Sequence, residues 1–462
     1  MKRMRNKLKK LTAAAVTAMM SFSLSSIFPM TSYAASTQAK DILQDGSFIY
    51  ENVDGGYAIR KCTASIIKKI PDVLDGVPVV EIGESAFFNC EGLSELTIPK
   101  TVKKIGNGAF SYCTSLKKVT IESRLTEIPD EAFYCCPALT SVTLPDTITS
   151  IGDSAFAQCY SLSEMAIPDS LQDMGDSVFT CTPIKNFDTK GCANFVYEDK
   201  ILTNKEKTAI YKASIDYSGE LRVDEKVTSI SGGAFSQCQN ITEAYISGNV
   251  TEIKDSTFRE CIGIKKLDLA EGIATIGAGA FSYNESLETL ELPTTIISVG
   301  DQAFIGCVSL NKLILQNGLQ TIGEDSFYGC EKLSQVSVPK SVTEIGDKAF
   351  GYTVNDKSED VKVSDFKMTV SSGTAGEKYA KSNDISYNAS DKDIKHIAFI
   401  VVAVALIITV IVFAIVLMAR GKKGASSAAK KAMKEAKEKE EEANYKKIID
   451  DEPENDNKKS EK

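Results

Sequence analysis

The sequence predicts a β-rich solenoid of 23-residue units, a parallel sheet with short helical turns, followed by one C-terminal transmembrane helix. Two observations carry the solenoid. Units of one pattern start at Ile82, Ile105, Ile128, Ile151 and Met174, and again at Ile230, Ile253, Ile276, Val299, Ile322 and Ile345, with 23 residues between starts within each run. The sixth place of all eleven units is Phe, which takes 11 of the 20 Phe in the chain. A third observation carries the span. Residues 397–419 hold no charge, and at ~1.5 Å per residue they make roughly 35 Å of helix against a hydrocarbon core of ~30 Å.

Each unit reads as one turn of a coil. Leu93, Leu96 and Ile98 form an alternating strand with its apolar side chains on one face. Pro99 ends it, because proline donates no ladder hydrogen bond. Val102 and Ile105 are further apolar anchors, Gly106 permits a tight turn, and Ala109-Phe110 fills the core on the way back. One unit cannot bury its apolar face alone, so neighbours stack roughly 4.8 Å apart. Eleven units then form one continuous elongated core, not the several domains that the length would otherwise allow.

The pattern I-G-x-x-A-F-x-x-C-x-x-L-x-x-L/V-x-I-P-x-x-V, over about residues 79–350, resembles the BspA-type class of bacterial leucine-rich repeats. The flanks resemble it too, with Leu74-Asp75-Gly76-Val77-Pro78-Val79 before the first unit and Gly376-Glu377-Lys378-Tyr379-Ala380 after the last. The resemblance implies a curved solenoid on a cell surface, with adhesion to proteins or glycoproteins in some members. Fold alone does not set function.

The two ends set the compartment. Lys2, Arg3, Arg5, Lys7, Lys9 and Lys10, an apolar run over 11–28, and Ser32-Tyr33-Ala34 before Ala35 read as a secretory signal peptide, with an uncleaved anchor as the alternative. Arg420, Lys422 and Lys423 follow the span at once, which places its C-terminal side in the cytoplasm. The expected organisation is a signal peptide 1–34, an N-terminal capping segment 35–81, repeats over 82–183, a hairpin-containing interruption 184–229, and repeats over 230–350. A C-terminal cap and short stalk 351–395, a transmembrane helix 396–419 and a charged cytoplasmic tail 420–462 complete it. The expected location is the cell membrane, single-pass, with the solenoid outside. Residues 35–419 hold 34 basic and 51 acidic side chains, a balance that repels nucleic acid and anionic lipid. The tail over 426–450 is rich in Ala, Lys and Glu, with i,i+4 pairs Glu435/Lys439 and Glu442/Lys446. It is either a solvated stop-transfer tail or a helix that docks a cytoplasmic partner.

The composition excludes much chemistry. The one His, His396, abuts the span, so a Ser-His-Asp nucleophile and an HExxH zinc helix have no residues to use. Ser65/Lys68 and Ser115/Lys118 match a Ser-x-x-Lys spacing without supporting motifs, and Gly277/Gly279 belong to a repeat turn, not a phosphate loop. No catalytic residue, metal or cofactor is expected, and the chain does not read as an enzyme.

The ninth place of the units holds Cys90, Cys113, Cys136, Cys159, Cys238, Cys261, Cys307 and Cys330, with Thr182, Asn284 and Thr353 in the other copies. Single replacements would orphan disulfide partners, and the three residue types share small size and hydrogen-bonding capacity. The column is expected to be a buried thiol ladder that donates to turn carbonyls; a metal ribbon is the alternative, without the usual CxxC pairs. Cys62, Cys135, Cys181 and Cys192 lie outside it, and Cys181 could pair with Cys192. In the interruption, residues 195–211 read as a hairpin protruding from the stack, either a decoration or a recognition element.

A ligand is expected on the strand face turned away from the core. One column runs Thr97, Thr120, Thr143, Ala166, Tyr245, Asp268, Glu291, Ile314 and Ser337. The column beside it includes Lys118, Lys266 and Lys312. The first half is polar and uniform; Tyr245 and Ile314 break the second half with apolar surface of the kind found at contacts. The candidate face is therefore Tyr245, Asp268, Glu291, Ile314, Lys266 and Lys312. Its expected partner is an extracellular protein or glycoprotein, as for an adhesin. The alternative is a structural or receptor-like envelope protein whose solenoid assembles with other surface proteins.

Overall fold

The computed structural model describes residues 42–44, 47–63, 69–355, 357–389, 402, 404–412 and 430–438. The chain forms two compact units, 1–388 and 389–462. The first is a β-solenoid in which each repeat supplies one longer strand and one strand of two residues. The longer strands Glu95–Ile98, Lys118–Ile121 and Ser141–Thr143 pair in parallel, with Thr97 opposite Thr120 and Thr120 opposite Thr143. The short strands pair likewise, in a five-strand ladder from Glu252–Ile253 to Glu344–Ile345. Neighbours are one 23-residue period apart throughout, so one register serves every interface within a run.

The return path is a chain of turns, where the sequence led us to expect short helices. In the first unit the amides of Ala86, Phe88 and Cys90 donate to the carbonyls of Gly83, Ser85 and Phe87, each three residues back. The fourth and eighth residues then adopt the left-handed conformation, as in Ser85 (φ 53°) and Asn89 (φ 56°), and the same places recur as Glu131 and Cys135 or Ser256 and Glu260. A left-handed residue every four positions breaks the right-handed path a helix needs. It also turns alternate amides toward the neighbouring unit, where Phe87 N–H meets Ala109 O at 2.8 Å and Phe110 N–H meets Ala132 O at 2.9 Å.

The Phe column packs ring on ring along the axis. Successive centroids from Phe235 to Phe350 lie 4.9–5.2 Å apart with planes within 9° of parallel, the offset-stacking range. Both ends are closed by aromatic side chains in another orientation. Phe48 lies 5.8 Å from Phe87 at 57°, and Tyr379 meets Phe350 edge-on at 87°. Tyr379 stands on the helix Ala375–Ser382, capped by Thr374. Its hydroxyl donates to Phe350 O and accepts from Phe350 N–H, both at 2.9 Å, so one residue closes both the apolar stack and its last open backbone groups.

The interruption departs from the expectation in two ways. Residues 195–213 form a three-stranded meander, Phe195–Glu198, Ile201–Asn204 and Ala209–Ala213, whose last strand joins the short-strand ladder beside Ser229–Ile230. It does not protrude: Phe195, Leu202 and Ile210 are core residues. The core is also not continuous. It splits into one cluster that ends at Leu202 and another that begins at Ile210. Between them lies a buried polar layer of Thr182, Lys212, Ser214, Ser231 and Ser236. On the turn edge the fifth and sixth units stack directly: Ser231 Oγ donates to Asp176 Oδ1 (2.9 Å), Thr180 Oγ1 to Gly232 O (2.9 Å), and Cys181 N–H to Ser236 Oγ (3.1 Å). The inserted residues therefore add a longer strand, Ser218–Arg222, and a short strand, but no turn. Lys212 fills the place of that turn.

In the second unit, residues 404–412 and 430–438 are helical. Lys434 and Glu438 pair at 3.8 Å. Among the described residues no helix is long and apolar enough to cross a membrane. The rest of the expected span, the leader 1–34, Ser65/Lys68, His396, Lys439, Glu442 and Lys446 lie outside the described residues.

Candidate binding face

The strands that follow the interruption place the candidate residues in register. Ser218–Arg222 pairs with Asn240–Ile246, and that strand with Lys266–Leu269, so Arg222, Tyr245 and Asp268 lie side by side, with Glu243 opposite Lys266. Thr289–Glu291 pairs with Lys312–Ile314, which sets Glu291 opposite Ile314 and Thr289 opposite Lys312. Alternation buries Ala244, Ile246, Leu267, Leu290 and Leu313 beneath this face.

Tyr245 is not the free apolar residue that its place in the sequence implied. It is half-buried, with Arg222 Cζ 4.0 Å from its ring centroid and Lys266 Nζ 4.6 Å from it. Its hydroxyl accepts from Lys266 Nζ at 2.6 Å and donates to Glu243 Oε2 at 2.9 Å. Arg222 in turn is ion-paired with Glu220. The hydrogen bond to Tyr245 holds the Lys266 ammonium above its ordinary pKa. Cation–π contacts from the two cations bias the ring toward one rotamer. Arg222 belongs to the aperiodic interruption, so column counting missed it; the signal available was the Leu221-Arg222-Val223 alternation just before Ile230.

The remaining candidates form a second group. Ile314 is half-exposed, Asp268, Glu291 and Lys312 are exposed, and Gln316 Nε2 donates to Glu291 Oε1 at 3.1 Å. The face as a whole mixes both charge signs around one fixed aromatic ring and one aliphatic side chain.

The ninth-place column has a defined geometry. The thiols of Cys113, Cys136, Cys159, Cys261, Cys307 and Cys330 donate to the Phe carbonyl of the preceding unit, at 3.0–3.5 Å. Thr182 makes the same bond at 2.6 Å and Asn284 at 2.8 Å, which accounts for these two replacements by donor capacity; Thr353, in the last unit, donates instead to Glu331 Oε1 at 3.4 Å. Cys238, the first after the interruption, donates instead to Ser214 O at 3.4 Å. Burial pushes the thiols of Cys159, Cys238 and Cys307 up to about 12, so they stay protonated, as donation requires, and unreactive. Cys181 and Cys192 are unbridged. Among the described residues no group of His, Cys, Asp or Glu is placed to hold a metal ion.

The turn edge carries a second ladder. Asp130 accepts from Asp153 N–H at 2.8 Å, Asp153 from Asp176 N–H at 2.7 Å, and Asp301 from Glu324 N–H at 2.7 Å. These carboxylates hold successive turns together, so their repetition has a structural cause. Ser115/Lys118 are likewise repeat positions, with Lys118 exposed at the start of its strand.

The model of the BspA-type leucine-rich repeat region, in six copies, matches residues 80–207 and 228–357. No protein of curated function matches the chain. Among solved structures, the chain is similar to a leucine-rich cell surface protein from Faecalibacterium prausnitzii, at 22% identity over 68% of this chain and 96% of that one, with a TM-score of 0.51. It is also similar to the pneumococcal vaccine antigen PcpA, at 20% identity over 77% of this chain and all of the other, with a TM-score of 0.51. Likeness at this level is likeness of fold.

Proposed function

The chain belongs to the BspA-type leucine-rich repeat family, and on that premise we propose that it is a membrane-anchored bacterial cell-surface protein whose solenoid binds proteins or glycoproteins, as an adhesin does. The observation that carries this reading is the held ring of Tyr245 on an otherwise polar sheet face. A ring fixed between Arg222 and Lys266 loses little freedom when a ligand covers it, and such preorganised aromatic and Arg groups dominate binding energies. Anchoring is supported by residues 404–412, helical and with Leu406, Ile408 and Val412 exposed, inside a charge-free run that ends at Arg420.

Binding of residues 35–390 to an array of matrix proteins and glycans tests the reading. Tyr245→Ser and Ile314→Ser should each weaken a ligand found there by ~2 kcal/mol, about 30-fold. Unchanged affinity in both would remove this face from consideration. The helix at 430–438 favours a second reading, in which the protein is receptor-like and its tail recruits a cytoplasmic partner. A silent array, together with a specific partner retained by residues 420–462, would replace the first reading with the second.

A further inference from the structure

The N-terminal cap ends in a cysteine that stands where a preceding repeat would be. Cys62 closes the strand Gly56–Cys62, and its N–H donates to Ala86 O at 2.7 Å. That is the bond a unit's Phe makes to the next unit within a run, as Phe87 N–H does to Ala109 O. The backbone of Cys62 therefore takes the Phe place of a repeat that is not there, while the ring of Phe48 covers Phe87. The consequence falls on Cys90, the first thiol of the column. The other thiols of the column each donate to a backbone carbonyl; the sulfur of Cys90 instead lies 3.5 Å from the sulfur of Cys62. Within the column exposure also sets Cys90 apart: it lies at 7%, beside the half-exposed Cys62, whereas Cys330 lies at 2% and Cys113, Cys136, Cys159, Cys238, Cys261 and Cys307 are fully covered.

We infer that Cys62 and Cys90 are a disulfide-forming pair that locks the N-terminal cap onto the first repeat, while the rest of the column stays reduced. The oxidant is a small or protein-borne disulfide, RSSR, of the class found outside the cytoplasm. The thiolate of the accessible Cys62 attacks one sulfur of RSSR; a mixed disulfide forms and one RSH leaves with the proton. Cys90 then attacks the Cys62 sulfur, the S–S bond closes, and the second RSH leaves. Two thiols are oxidised and one RSSR is reduced to two RSH. Burial holds the Cys90 thiol up at about 12, so the first attack falls to Cys62; the second is favoured by proximity, since Cys90 Sγ already lies 3.5 Å from Cys62 Sγ. The link closes the loop between residues 62 and 90, and cross-linking a loop of that length removes freedom chiefly from the unfolded chain.

The inference rests on the surface reading only for where the oxidant is met, and the chemistry is tested without it. The reduced full-length chain, purified in detergent, is treated with oxidised glutathione, quenched with acid and denatured. Thiol titration should then fall from twelve to ten. A non-reduced tryptic digest should show residues 62–68 joined to residues 70–100. Cys62→Ser should keep all eleven of its thiols under the same treatment. Twelve surviving thiols, a glutathione adduct on Cys62 with no cross-link, or a link between any other pair would overturn the assignment and leave the binding reading untouched.

Discussion

Lys212 should reveal itself as a buried lysine that the fold tolerates for its hydrogen bonds. It is wholly buried in the strand Ala209–Ala213, and Nζ donates to Gly233 O and Ser236 Oγ at 3.0 Å and to Ser236 O at 3.5 Å. Burial holds its pKa below that of an ordinary lysine. Lys212→Ala removes three buried methylenes, about 2.4 kcal/mol at ~0.8 each, and strips Ser236 O of its donor, a further ~1–3 kcal/mol. Lys212→Met keeps most of the volume and loses only the hydrogen bonds, so it should be the more stable of the two by ~2 kcal/mol. The pH dependence separates charge from packing. Between the folded pKa and the unfolded value of about 10.4, the unfolded chain binds the extra proton, so this residue makes stability rise with pH. Urea unfolding of residues 35–390 from pH 7 to 10, followed by circular dichroism, gives the difference between wild type and Lys212→Met. That difference should shift in favour of wild type as pH rises. A constant difference would refute the buried-charge account, and equal stability of the Met and Ala variants would refute the packing account.

Three further outcomes follow from the same geometry. Cys261→Thr should stay within about 0.5 kcal/mol of wild type, because Thr182 already makes that bond; Cys261→Ala should lose about 1 kcal/mol by removing the donor to Phe235 O, both read by thermal unfolding. Phe281→Ala should cost ~3–5 kcal/mol and speed amide hydrogen exchange in residues 213–385 but not in 82–180, because the polar layer at Lys212 separates the two apolar clusters. Asp325 is raised to about 6 by burial and by Glu324, with Asp347 and Asp360 adding to it. Its contribution to stability is thus present at pH 4 and lost as pH rises through 6, so Asp325→Asn should match wild type at pH 4 and exceed it at pH 7, by no more than ~1 kcal/mol for a group only half-buried, in urea titrations at the two pH values.

The period was legible because every unit carries its own anchors. Phe258 and Phe281 need no knowledge of each other to be placed: the next unit repeats the same demand, and stacking answers it for all of them. The turns were misassigned for a local reason. Ser256 and Glu260 in the left-handed region look, as residue types, no different from residues of a short helix. Nothing in the sequence marks Lys212, which lies just past the expected hairpin, and only the return of the chain to the turn edge at Ser231 and Ser236 makes its position interior.

Repetition also bears on where a ligand would be recognised. A coil that repeats one register presents nearly the same surroundings at every unit, so a ligand finds little there to distinguish one place from the next. Distinct surroundings arise where the period fails and a side chain acquires a neighbour from outside its column. Tyr245 is such a residue: its ring is held by Lys266, one period on, and by Arg222, which the interruption supplies. Moving Arg222 away would leave Tyr245 an incidental variation on a polar sheet. On the binding reading proposed above, the inserted residues act through the strand they add to the face, not through a protruding hairpin.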